Sequence, residues 1–133
     1  MPSLTPGQVA DLAGVSTDTV RRWADDGRLP TTRDAKGHRA IDGADLARFL
    51  VDRAAAAAAA DGAPGLSARN RFRGIVTRVV TDGVAATVEL QAGPHRIVSL
   101  ITAEAVDELG LAPGVVADAA VKATDVLVDL ARP

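Results

Sequence analysis

Ala54-Ala55-Ala56-Ala57-Ala58-Ala59-Ala60, followed by Asp61-Gly62-Ala63-Pro64-Gly65, is the stretch that divides this chain. Alanine has the strongest intrinsic helix preference, while Gly62, Pro64 and Gly65 oppose a continued helix. A helix is therefore expected to run through the alanines and end in a flexible joint near residue 61. The run reads either as a weakly constrained spacer or as a helix packing closely against a partner chain. Upstream of it apolar residues recur at helical spacing and Val and Ile are few. Downstream the chain is rich in β-branched residues, in short runs separated by Gly, Pro and Asp. The expectation is an α+β protein of two domains, residues 1–53 and 66–133, joined by an alanine-rich helix extension and linker over 54–65.

A total of 133 residues holds one ordinary domain or two very small ones and excludes a large catalytic scaffold. Acidic residues number 17 against 15 Lys and Arg, so no overall positive field attracts nucleic acid. Cysteine is absent, which removes disulfides, thiolate metal sites and cysteine nucleophiles together. The only aromatic residues are Trp23, Phe49 and Phe72, so any core rests mainly on Val, Leu, Ile and Ala. No segment reaches the roughly 18 apolar residues that span a bilayer. Met1-Pro2-Ser3-Leu4-Thr5-Pro6 has neither the basic start nor the apolar stretch of a secretory signal. A soluble, cytoplasmic protein with no membrane partner is expected.

In the N-terminal half, Thr5 can cap a helix that begins at Pro6, and Gly14 can end it. Val9, Leu12 and Ala13 then share one stripe. Ser16 can cap a second helix running from Thr17 to about Asp26, with Val20 and Trp23 on one face and Gly27 as the stop. Two short helices joined by Gly14-Val15-Ser16 make a helix-turn-helix. Its exposed face carries Thr17, Asp18, Thr19, Arg21 and Arg22, short hydroxyls and guanidinium groups suited to base edges and phosphates. Lys36-Gly37 can turn a hairpin whose tip bears Arg33, Lys36, His38 and Arg39, a small basic wing. Asp42 can cap a third helix that returns Leu46, Phe49 and Leu50 to the core.

Leu4-Thr5-Pro6-Gly7-Gln8-Val9-Ala10, Gly14-Val15-Ser16, Thr19-Val20-Arg21-Arg22-Trp23 and Gly37-His38-Arg39 together resemble the winged helix-turn-helix of the MerR and excisionase families, over about residues 3–53. That resemblance implies double-stranded DNA as a partner, with the second helix in the major groove and the wing on the backbone or adjacent minor groove. Ser16, Thr17, Thr19, Arg21 and Arg22 would face DNA, with Arg33, Lys36, His38 and Arg39 on the wing. His38 is assigned a backbone contact, and His38 and His95, in different modules, make no metal site. Residues 1–60 hold eight Lys or Arg and eight Asp, so the positive field is local and a single copy should bind DNA weakly. Useful affinity then needs two or more copies on adjacent half-sites.

In the C-terminal half, five strands are expected at residues 72–80, 84–90, 96–101, 115–121 and 126–130, with turns at Asp82-Gly83 and Ala92-Gly93-Pro94. Thr102 can cap a short helix over 103–109 that Gly110 closes. Five strands with one helix after the third predict a small five-stranded OB-like β-barrel. Three islands carry chemistry of one kind: Ser67-Ala68-Arg69-Asn70 before the first strand, Thr102 at a helix start, and Lys122-Ala123-Thr124 before the last strand. Donors without a carboxylate or histidine base describe an oxyanion site and not a catalytic one.

The same islands, with Ile101-Thr102-Ala103-Glu104-Ala105, Leu109-Gly110-Leu111 and Val121-Lys122-Ala123-Thr124-Asp125-Val126, resemble the TOBE or molbindin (Mop) domain over about residues 66–131. The resemblance implies molybdate or tungstate as ligand, held in sites between subunits of a homo-oligomer, a dimer or a hexamer. The oxyanion contacts would be Ser67, Arg69, Thr102, Lys122, Ala123 and Thr124, with Asn70 in support. Thr124 stands where serine is frequent, which keeps the hydroxyl and adds a methyl group.

Together the halves predict a molybdate- or tungstate-responsive DNA-binding transcriptional regulator. The alternatives are an intracellular molybdate-binding store, or a DNA-binding protein whose C-terminal domain only oligomerises. No acid, base and nucleophile set supports an enzyme.

Overall fold

The computed structural model describes residues 2–61 and 69–132. The joint expected at residues 62–65 and the candidate Ser67 lie outside the described residues. Chain contacts separate two compact units, Met1–Pro64 and Gly65–Pro133.

The first unit follows the order β1 (Ser3–Leu4), α1 (Pro6–Ala13), α2 (Thr17–Asp25), β2 (Thr32–Arg33), β3 (Arg39–Asp42) and α3 (Gly43–Asp61). Local chemistry sets the helix ends. Thr5 caps α1 through a reciprocal box, its Oγ1 accepting from Gln8 N while Gln8 Oε1 accepts from Thr5 N. Gly14 closes the helix in the left-handed conformation, at φ 70°. Ser16 caps α2, and Asp42 Oδ1 accepts from Ala44 N and Asp45 N at the start of α3. The third helix then continues through the alanine run to Asp61.

Val9, Ala10, Val20, Trp23, Leu29, Ile41 and Leu46 form the buried core of this unit. Phe49 packs against Trp23 with the rings tilted by 52° and their centroids 4.8 Å apart, and the Arg53 guanidinium lies 5.2 Å from the Trp23 ring centroid. Each fully buried large apolar side chain contributes about 1.5–3 kcal/mol. A three-stranded sheet of order β1-β3-β2 completes the unit. Its edge strand β1 has no counterpart in the sequence reading. The strand is two residues long and is held by pairing Ser3 with Asp42 and Leu4 with Ile41, some 40 positions away.

The second unit contains β4 (Asn70–Thr81), β5 (Ala85–Ala92), β6 (His95–Thr102), α4 (Ala103–Leu109) and β7 (Val116–Val121), then a single 3-10 turn at Ala123–Asp125. All pairings are antiparallel, in the order β6-β5-β4-β7. The long strand β4 serves two neighbours. Its first half pairs with β7 from Asn70↔Val121 to Ile75↔Val116, and its second half with β5 from Ile75↔Gln91 to Thr81↔Ala86. The register shifts between Val76 and Arg78, an irregularity of the kind that bends a strand. Gly74 lies at the changeover, where an added Cβ would sit 2.5 Å from the Gln91 carbonyl oxygen. Only glycine allows the two backbones to approach this closely. Val76, Ala86, Val88, Leu90 and Val106 form the core on the inner side of the curled sheet.

The expectation of five strands is corrected here: among the described residues this unit has four, and the sheet does not close into a barrel. Residues 126–130 carry strand-forming side chains yet pair with no strand among the described residues. Pairing is a long-range property, and β7 gives way at Lys122 to the 3-10 turn before the tail begins. Leu127, Val128 and Leu130 are 95 %, 93 % and 90 % exposed. Strands β6 and β7 therefore remain free edges, and a largely apolar cleft of about 660 Å³ is lined by residues that include Leu90, Ile97, Ile101, Leu111, Val115 and Ala119. No helix among the described residues is long and apolar enough to cross a membrane.

Candidate functional site

On the first unit, α2 and the β2–β3 hairpin bring four of the expected basic residues, Arg21, Arg33, His38 and Arg39, with Asp25 and Asp34, to one cleft of about 640 Å³, while Arg22 and Lys36 lie outside its lining. Arg21 and Arg22 are exposed on α2. Arg21 Nη1 lies 3.6 Å from the solvated Asp18 carboxylate, a contact of small energetic worth. Two of the hydroxyls are already engaged: Ser16 Oγ accepts from Thr19 N at 3.2 Å and shares a 3.0 Å hydrogen bond with Thr19 Oγ1. Ser16 thus serves first as the helix cap, and Thr17, half-buried, opens the helix beside it.

The hairpin is braced from within. Asp34 Oδ1 accepts from Lys36 N and from His38 N, both at 2.9 Å, and Arg33 Nη1 donates to the Gly37 carbonyl at 3.1 Å. Gly37 takes φ 80°, which the turn requires. Lys36 and His38 remain exposed, with His38 Nδ1 3.7 Å from Asp34 Oδ2. Arg39 differs from its neighbours. It forms the last strand pair before the turn, opposite Arg33, and donates to Asp25 Oδ1 at 3.1 Å. Asp25 and Asp34 were not among the sequence-derived candidates. An Asp two residues before Lys36 is a local turn signal that could have revealed Asp34, but Asp25 contacts a residue 14 positions away and leaves no such trace.

On the second unit, the oxyanion candidates fall into two groups. Register puts Asn70 opposite Val121, and Asn70 Nδ2 donates to the Val121 carbonyl at 3.1 Å. Arg69 and Lys122 therefore leave paired strands at the same end, followed by Ala123 and Thr124 in the 3-10 turn. Among the described residues neither Arg69 nor Lys122 has a side-chain hydrogen bond or ion pair, and both are exposed. Neighbouring Arg71 and Arg73 are different, since both bind Asp118, at 3.3 and 3.0 Å. The Arg73 hydrogen bond, aided by its charge and by Arg71, holds the Asp118 carboxyl below its ordinary pKa against an opposing desolvation.

Thr102 stands apart from that group. It is the last residue of β6, opposite Ala85, and β5 in turn places Ala86 opposite Thr81, the far end of β4. The Arg69/Lys122 end and the Thr102 end are thus separated by the length of β4, roughly 36 Å of strand path at ~3.3 Å per residue. Thr102 Oγ1 accepts from Ala105 N at 3.1 Å as the cap of α4, and its hydroxyl hydrogen can still donate. Along the strands, the described candidate donors of one chain thus belong to two ends of β4. Among the described residues no cluster of His, Cys, Asp and Glu could hold a metal ion.

Comparison with known proteins assigns each unit. A model of the MerR family regulatory proteins matches residues 5–41, and a TOBE domain model matches residues 66–128. "Molybdenum-pterin-binding protein 2" of Clostridium pasteurianum is 41 % identical over 64 residues, 47 % of this chain and 94 % of the relative. Among solved structures, MopII of Clostridium pasteurianum is 39 % identical with a TM-score of 0.47, covering 50 % of this chain and all of that one. The cytoplasmic molybdate-binding protein ModG, in its molybdate-bound form, is 45 % identical with a TM-score of 0.43, covering 48 % of this chain and 45 % of that one. By its C-terminal half the chain belongs to the TOBE-domain family of these molybdenum-pterin-binding proteins, and a MerR-family domain precedes that half.

Proposed function

We propose that this protein is a molybdate- or tungstate-responsive DNA-binding transcriptional regulator that holds the oxyanion between subunits. Residues 1–53 form its DNA-binding module, 54–65 the helical extension and linker, and 66–133 the oxyanion module. The MerR-family match, the exposed Arg21, Arg33 and His38 on one cleft, and the exposed Arg22 and Lys36 of the same helix and hairpin support the DNA reading. Relatives whose names state molybdate or molybdenum-pterin binding support the ligand.

The observation that carries the shared site is the separation of the donors along β4. Arg69, Lys122, Ala123 and Thr124 leave one end of that strand and Thr102 belongs to the other. A second copy brings the Thr102 end of one chain to the Lys122 end of another. The site then combines two cations with hydroxyl and backbone donors, the combination that holds a tetrahedral dianion. The free edges of β6 and β7 and the exposed tail at 126–130 support the same assembly, because each chain's tail supplies a strand that another chain's sheet lacks.

Such a ligand alters DNA affinity only through different binding to two subunit arrangements. Calorimetric titration of the full chain should give saturating heats with molybdate and tungstate and a weaker response with sulfate. Affinity for a DNA duplex should differ between zero and saturating molybdate. Saturable oxyanion uptake with unchanged DNA affinity contradicts the switch and leaves a molybdate store.

A further inference from the structure

We propose that Arg39 is a positioning residue that sets the angle between the wing and α2 through Asp25, and that it makes no phosphate contact of its own. The inference rests on the DNA-binding reading and deepens it. Its side chain is 25 % exposed, against 64 % for Arg21 on the neighbouring helix. It starts β3 opposite Arg33 and reaches across to Asp25, the last residue of α2. Among the described residues this is the one side-chain hydrogen bond between α2 and the β2–β3 hairpin. The contacts of Arg33 and Asp34 shape the hairpin internally and tie it to nothing else.

Electrostatics give the strut its direction. Asp25 and the following cap Asp26 put two carboxylates at the C-terminal end of α2, where the helix dipole is already negative. A guanidinium held there relieves that repulsion and is itself largely neutralised. Arg21, Arg33 and His38 also line the cleft, and their own contacts, with Asp18, the Gly37 carbonyl and Asp34, stay within the helix or within the hairpin. A helix and a wing that must reach two places on a duplex bind better when their spacing is fixed beforehand, because less ordering remains to be done on binding.

The test uses the full chain and a pool of random-sequence 30-base-pair duplexes over a series of salt concentrations. Arg39→Gln and Asp25→Asn should each weaken binding by roughly fivefold, the scale of a partly exposed ion pair. Neither should change the slope of log affinity against log salt. Arg21→Ala should lower that slope by about 0.9, one phosphate contact. The Asp25→Asn result discriminates most sharply, since removing a negative charge beside DNA would by itself strengthen binding. The double exchange Asp25→Arg with Arg39→Asp should recover most of the loss.

Tighter or unchanged binding by Asp25→Asn, or a slope reduced by one contact in Arg39→Gln, overturns the proposal. A measurement without DNA separates it from the function it rests on. Because the chain has no native cysteine, spin labels at Asp18→Cys and Lys36→Cys report only the α2-to-wing distance. That distribution should be narrow in the otherwise native chain and broad with Arg39→Gln, at unchanged thermal midpoint. Absence of any DNA binding by the native chain refutes the regulator, while equal distance distributions refute the strut.

Discussion

The two units solve the same small-domain problem in different ways. The N-terminal unit closes on itself: every one of its helices has a side-chain cap, and Trp23, Val20, Leu29 and Ile41 are buried behind them. The C-terminal unit stays open, with β6 and β7 as free edges and Leu100, Val116, Leu127 and Leu130 facing solvent. Small domains bury a limited share of their surface, so an apolar tail without partners is a cost that association can remove. On the proposed reading, the N-terminal unit is a finished part and the C-terminal unit a joining part.

Breaking the core of the finished part should have the largest effect. Trp23→Ala removes the ring on which Phe49 and Arg53 rest and should destabilise the N-terminal unit by about 3–5 kcal/mol, read by denaturant unfolding. That loss should be independent of protein concentration, whereas the midpoint of the C-terminal unit should rise with concentration, as linked association requires. Concentration-independent melting of both units would erase the comparison. A smaller effect is expected at Gly74: Gly74→Ala pushes a methyl group into the Gln91 carbonyl and should cost about 1–3 kcal/mol in the C-terminal unit alone.

Removal of a single cap should cost less. Ser16→Ala frees the Thr19 amide and should lower N-terminal stability by about 1 kcal/mol without changing the other unit. The smallest effect is an acid one. The depressed pKa of Asp118 adds stability that is complete above the ordinary carboxylate range and is lost as pH falls through the lower folded value. Acid titration of Asp118→Asn should therefore lack part of the native loss. An identical acid profile would show that the Arg73 and Arg71 contacts contribute nothing.

The same contrast explains what the sequence could reveal. Helix ends depend on residues three or four apart, so Thr5, Ser16, Asp42 and Thr102, with the stops at Gly14 and Gly110, were legible from local spacing. The Asp82-Gly83 turn was legible for the same reason, and Asp82 accepts from Val84 N and Ala85 N as such a turn demands. Distant pairing left little local trace. Strand β1, the double service of β4 and the Arg39–Asp25 contact all join positions remote in sequence. The tail at 126–130 has the composition of a strand, but composition does not say which edge it meets. Of the oxyanion set, residue types were readable and their division between the two ends of β4 was not.

The central claim is that the oxyanion is held between copies of the chain. Native mass spectrometry of the full chain across a molybdate titration tests it directly, by reading bound oxyanion and chain number in the same ion. The account predicts molybdate only on species of two or more chains, and its loss from them with Lys122→Ala. Molybdate carried stoichiometrically by the single chain, at an affinity equal to that of the assembled species, would contradict it.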